Sequence, residues 1–137
     1  MKFSTRKDIN AQIEDVFQVA TDFSRYENKI KKRGVKIRRL GIKEPPEIGA
    51  EWEAKFRFRG RSRSLVVELV QFEAPELITF SGAGAAGLIA TCQAEFIELS
   101  MSRTRMKLGI ELRAKSIPAR LMLQSMKFAK VTRNKCR

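Results

Sequence analysis

Four side chains in this sequence combine a reactive group with a position near apolar residues: Tyr26, Glu68, Cys92 and Gln93. Acid–base catalysis inside a hydrophobic cavity would need a polar pair of this kind, with one group moving a proton and the other holding the substrate. The chain has no histidine. That removes Ser-His-Asp and Cys-His arrangements, the usual zinc sites and the commonest general base. No metal and no cofactor is therefore expected. Cys92 has no nearby cation in the sequence to lower its pKa, so an inert thiol is the simpler expectation. Glu68 would act as an acid or base only if buried, where its pKa would rise. Its strand can be read either way. Leu65, Val67 and Leu69 facing inward would carry Gln71 with them, whereas Val66, Val70 and Phe72 facing inward would carry Glu68. With no convincing polar pair, catalysis stays an open question and no catalytic residue is assigned.

A second motif is Gly82-Ala83-Gly84-Ala85-Ala86-Gly87, which has the G-x-G-x-x-G form of a dinucleotide-binding loop. That fingerprint belongs to a strand–helix–strand unit with an acidic residue about 20 positions later. Here the surrounding segments alternate like hairpin strands, and the acidic residue is missing. The stretch is expected to be a flexible turn at a cavity mouth.

Charge is the strongest compositional signal. There are 28 Lys plus Arg against 15 Asp plus Glu, a net charge of +13. This favours an anionic partner: nucleic acid, a ribosome or a membrane surface. The densest run is Lys29, Lys31, Lys32, Arg33, Lys36, Arg38 and Arg39. One Trp and one Tyr accompany the basic residues, so no stacking platform for bases is evident. Lys36 and Arg38 could also simply face Glu51 and Glu53 across neighbouring strands. Two cysteines, Cys92 and Cys136, fit free thiols in a reducing compartment. No apolar run reaches the roughly 18 residues of a membrane span, and the N-terminus lacks the apolar core of a signal peptide. A cytoplasmic protein of one domain, residues 1–137, is the expectation.

The elements that must position these residues read as follows. Lys2 to Ile9 is a strand. Asn10 caps a helix whose Ile13, Val16, Phe17 and Ala20 recur at helical spacing. Ser24-Arg25-Tyr26-Glu27 has the capping-box form, which predicts a second short helix with Phe23, Tyr26 and Ile30 inward. Val35 to Ile42 is a strand, then two prolines enforce a turn. Ala50, Trp52, Ala54, Phe56 and Phe58 alternate with five charged residues, which predicts a strand wet on one side. Gly60 to Arg63 turns the chain. Ser64 to Glu73, Leu77 to Ser81, residues 88 to 99, and Arg105 to Ala114 complete the sheet. Ser116 to Arg137 reads as a long helix: Ser116 is a good N-cap, Pro118 sits in the first turn, and Ile117, Leu121, Ser125, Phe128 and Ala129 form a stripe.

The order is strand, two short helices, six strands, long helix. With Ile9-Asn10-Ala11 leading into Ile13-Glu14-Asp15-Val16-Phe17 and then Thr21-Asp22-Phe23-Ser24-Arg25-Tyr26, the chain resembles the START-like helix-grip (SRPBCC) superfamily. Within it, the polyketide cyclase/dehydrase and lipid-transport branch is the most similar. Gln12 stands where such proteins often carry proline. The resemblance implies an α+β fold: a curved antiparallel sheet of about seven strands wrapped round the C-terminal helix, with a ligand cavity between them. It implies lipid or sterol carriers, ring cyclases or ribosome-associated regulators as functional models, and it carries over no shared catalytic signature.

The cavity wall expected from the inward-facing residues is Trp52, Phe56, Phe58, Cys92, Phe96, Met106, Leu108, Ile110, Leu121, Met122 and Met126, with Ala54, Ala90 and Ala94 leaving space. A carrier or sensor for a small hydrophobic molecule is the first expectation. A cyclase or dehydrase using the same cavity is the second, and a basic protein bound to ribosome or RNA the third.

Overall fold

The computed structural model describes residues 1–84, 87–114 and 124. The helix expected over 116–137, with Leu121, Met122 and Met126, lies outside the described residues, Gln124 excepted. The described elements are β1 (Lys2–Ile9), α1 (Ile13–Ala20), α2 (Phe23–Lys32), β2 (Lys36–Leu40), β3 (Glu51–Phe58), β4 (Arg61–Glu73), β5 (Leu77–Gly84), β6 (Leu88–Ser100) and β7 (Arg103–Ala114). The strands form one antiparallel sheet in the order β1-β7-β6-β5-β4-β3-β2. Every step from β2 to β7 joins sequence neighbours, as hairpins require. β1 closes the far edge by pairing with β7, from Lys2 opposite Glu111 to Ile9 opposite Thr104.

Both helices cover the same face of the sheet, which we call the inner face. α1 buries Ile13, Val16 and Phe17. Phe17 meets Phe72 and Phe96 edge-on, both at 5.3 Å between ring centres. Leu69, Ile78 and Phe96 complete this closed core, with Leu69 wholly buried. Thr104, also wholly buried, donates its hydroxyl to the Ala11 carbonyl at 2.9 Å. That bond ties the entry of α1 to the start of β7. On the outer face Asp8 receives Arg105 at 2.8 Å and Arg103 at 3.3 Å.

Several local expectations are corrected. α1 starts after Gln12, which makes no side-chain cap bond, rather than at Asn10. α2 is capped by Asp22, whose carboxylate accepts from the Arg25 N–H at 3.3 Å, so Ser24 and Glu27 lie inside the helix and form no capping box. β2 stops at Leu40 and leaves Ile42 exposed. The turn expected over Gly60 to Arg63 is tighter: Arg59 and Gly60 carry φ of 53° and 74°, and Phe58 already pairs with Arg61. Two successive positive φ values are what a two-residue hairpin of matching twist needs. Gly82, Ala83 and Gly84, expected in a turn, belong to β5: all three pair with β4, and Gly82 and Ala83 also pair with β6. Gly82 lies between Val67 and Ala90, where an added Cβ would make an ordinary 3.6 Å contact with Val67 Cγ2, whereas one at Gly84 would crowd Leu65 Cδ2 at 3.3 Å.

The ambiguous strand, β4, is resolved by a bulge between Leu69 and Gln71. Before it, Leu65, Val67 and Leu69 face inward and Glu68 is exposed. The extra residue shifts the alternation, so Phe72 also turns inward and stacks on Phe17. Gln71 goes to the outer face, where it accepts from Thr79 Oγ1 at 3.0 Å. Each reading of the strand was right for one half of it.

Candidate functional site

Beyond the closed core, the inner face changes character. An apolar hollow of about 390 Å³ lies between α2 and strands β2 to β6. Its helical side is Ala20, Phe23, Tyr26, Glu27 and Ile30, and its sheet side is Ile37, Trp52, Ala54, Val67, Phe80 and Cys92. Three aromatic rings organise it. Trp52 lies 5.8 Å from both Phe23 and Phe80, and Phe23 lies 6.1 Å from Phe80. Such tilted and edge-on contacts stabilise the cluster beyond its area burial. The neighbouring ladder rows, Trp52–Val67–Gly82–Ala90 and Ala54–Leu65–Gly84, bring four small residues, Ala54, Gly82, Gly84 and Ala90, to this part of the sheet.

One charged group enters this apolar setting. Glu27 Oε1 accepts from Trp52 Nε1 and from Arg39 Nε, both at 2.7 Å. Arg39 is opposite Trp52 in the β2–β3 ladder and also reaches Ser24 Oγ at 3.3 Å. The Glu27 side chain keeps 18% of its exposure. Burial pushes its pKa up, but the hydrogen bonds from Arg39 and Trp52 and the Arg39 charge outweigh it, so the carboxyl is held below its ordinary value. Glu27 is thus an ionised group that fixes the indole at the hollow's wall.

The expected wall residues divide into groups. Trp52 and Cys92 line the hollow. Phe96 belongs to the closed core at 2% exposure, and Met106 packs against that core. Leu108 is half-buried, and Ile110 is 43% exposed. Phe56 and Phe58 sit toward the β3–β4 turn; guanidinium groups of Arg59 and Arg63 lie 5.5 Å and 5.7 Å from the Phe58 ring. Of the polar candidates, Tyr26 and Cys92 line the hollow, while Glu68 and Gln93 are exposed on the other face. Burial raises the Cys92 pKa, which keeps it a thiol near neutrality. Glu27, Phe80, Val67 and Ile37 were not singled out from the sequence. A period-two reading of β2 and β5 could have found Ile37 and Phe80. Glu27 was absorbed into the capping-box pattern.

This architecture, a seven-stranded antiparallel sheet with two helices between β1 and β2, is the START-like fold that the resemblance implied. Solved structures with it include norcoclaurine synthase from Thalictrum flavum in complex with dopamine and hydroxybenzaldehyde. That structure has a TM-score of 0.68 and 11% identity over 92% of this chain and 76% of that one. The aromatase/cyclase Zhui from Streptomyces sp. R1128 gives 0.67 and 13%, over 91% and 82%. An HSP90 activator from Plasmodium falciparum gives 0.56 and 19%, over 81% and 72%. No protein-family model and no curated protein matches the sequence. At these identities the likeness defines the fold, and proteins of this fold include ligand-binding proteins and cyclases.

Proposed function

We propose that this protein binds a small hydrophobic molecule, lipid- or polyketide-like, in the hollow beneath α2, and acts as a carrier or sensor in the cytoplasm. The observation that carries this reading is the hollow itself: about 390 Å³ lined by Phe23, Trp52 and Phe80 and floored by small residues. That volume is within the usual range for small-molecule sites, which are mostly apolar with few polar groups. Burial of ligand surface against the rings would supply affinity at about 25 cal/mol per Å², less ordering costs. A neighbour solved in complex with dopamine and hydroxybenzaldehyde, and another that is an aromatase/cyclase, support the reading by analogy of fold. The cytoplasmic part rests on Cys92 being a free thiol.

A cyclase- or dehydrase-like enzyme in the same hollow is the second reading, favoured by Tyr26 and Glu27 both lining it. It requires a turnover that Glu27→Gln abolishes while ligand affinity persists.

The test is titration of the full chain with Nile red, a neutral apolar probe insensitive to the protein's positive charge. Saturable binding that quenches Trp52, and that weakens at least tenfold in Ala54→Phe while the fold is retained, is the expected result. Absence of binding in the parent chain, or binding unchanged by a ring placed in the hollow, refutes the reading.

A further inference from the structure

A different region carries an inference of its own. Residues 56–64 form a two-stranded ribbon. The last β2 pairing is Lys36 opposite Lys55, and the first described β5 pairing is Gly84 opposite Leu65. Between those limits, among the described residues, β3 and β4 pair only with each other, from Phe56–Arg63 to Phe58–Arg61. At about 3.4 Å per residue the ribbon extends roughly 14 Å from Lys55 to its turn.

From Lys55 to Ser64 every second residue up to Arg63 is a cation and none is acidic. On the outer face Lys55 and Arg57 stand opposite Ser64 and Ser62. Lys36 stands opposite Lys55 on the same face, and like charges directly opposed are unfavourable unless something anionic lies over them. The nearest acid, Glu53, is shared by Arg38 at 2.9 Å and Lys55 at 3.8 Å. Among the described residues no carboxylate pairs with Lys36, Arg57 or Arg63. These groups border an open groove of about 620 Å³, with both serine hydroxyls on its wall.

We infer that this basic ribbon and the groove at its base bind the phosphate backbone of a nucleic acid. Arg, Lys and Ser are the side chains that contact phosphate oxygens, and a two-stranded ribbon is of a size to enter a duplex groove. An anionic membrane is the weaker occupant. The ribbon carries no exposed large apolar side chain to insert among lipids, since Phe56 and Phe58 are half-buried. The sequence reading missed this site because it counted only Trp and Tyr as aromatic partners and weighted the denser basic run further upstream.

The experiment is fluorescence anisotropy of the full chain with a labelled 20-nucleotide single-stranded RNA and a 20-base-pair DNA duplex. The expected result is binding of at least one of them, with log affinity falling linearly with log salt at a slope of about −3, for roughly four phosphates. Between 50 and 200 mM salt that is a loss of about sixtyfold. Lys55→Glu/Arg57→Glu/Arg61→Glu weakens binding at least tenfold, and the milder Arg57→Gln/Arg61→Gln weakens it severalfold with the melting curve unchanged. Lys2→Glu/Arg6→Glu/Lys107→Glu, at the opposite edge of the sheet and with the same change in net charge, leaves it within about twofold. Equal weakening by both triple variants overturns the assignment, because net charge alone would then explain binding. So does the absence of binding at 50 mM salt. Ribbon-dependent binding to phosphatidylserine vesicles without any binding to either nucleic acid assigns the site to membranes and also overturns it.

Discussion

Removing the Glu27 carboxylate tests whether the hollow's wall is held by a single acceptor. In Glu27→Ala the Trp52 N–H loses its partner at a position where the ring is only 5% exposed, so water cannot readily replace it. A buried donor left unmade costs about 1–3 kcal/mol. Arg39 loses its carboxylate too, but its side chain is 36% exposed, so that share is below about 1 kcal/mol. The sum is about 1–4 kcal/mol, or roughly 3–15 °C in Tm for a chain of this length. The assay is urea unfolding followed by fluorescence, for which Trp52, the single Trp, is its own reporter. A cycle with Trp52→Phe, followed by far-UV circular dichroism because that variant has no Trp, isolates the indole bond, with a coupling of about 1–2 kcal/mol. The pH dependence follows from the lowered carboxyl pKa. A group whose folded pKa is depressed contributes stability above its unfolded value, near pH 4.3, and loses it as pH falls through the folded value. The parent chain should therefore lose stability in that acid window more than Glu27→Gln does. A Glu27→Ala variant within about 0.5 kcal/mol of the parent, with unshifted Trp52 emission, refutes the argument.

Two further outcomes follow from buried groups. Thr104→Val removes the hydroxyl that holds the Ala11 carbonyl and should cost about 1–2 kcal/mol in urea unfolding, with little change in Nile red affinity because Thr104 lies away from the hollow. Cys92, kept as a thiol by burial, should react with a disulfide reagent at pH 8 at least tenfold more slowly than a small free thiol, measured in a Cys136→Ser chain. Saturating Nile red should slow it further; unchanged reactivity with probe bound would place the probe elsewhere.

The strands were legible because period-two alternation is strong wherever one face is wet. β3 shows this best, with Trp52, Ala54, Phe56 and Phe58 on one side and charges on the other. What failed were features set by two strands at once. The bulge in β4 exists because Leu69 and Phe72 must both reach the core under α1, and no window on β4 alone reveals an inserted residue. Gly82 and Gly84 looked like punctuation, yet they are ladder residues of β5, and only their pairing discloses that. Glu27 illustrates a competition between patterns. Its spacing from Ser24 fits a cap, but Asp22 takes that role, and Glu27 is released to meet Trp52 and Arg39 from other strands.

The same comparison explains why the hollow sits where it does. Both ends of the inner face are aromatic, so hydrophobicity does not distinguish them. At the α1 end, Phe17 is met from the sheet by Phe72, Phe96, Leu69 and Ile78, large side chains that leave Leu69 with no exposure. At the α2 end, Phe23 is met by Trp52 and Phe80, but their neighbours along the ladder are Ala54, Val67, Gly82 and Ala90. Rings standing on a floor of small residues cannot close the space between them, because interiors are filled by side-chain volume and not by the number of apolar positions. A larger residue at Ala54 would fill part of that space, and filling a void commonly stabilises. The wall is thus rigid where Glu27 holds Trp52 and unfilled beside Ala54.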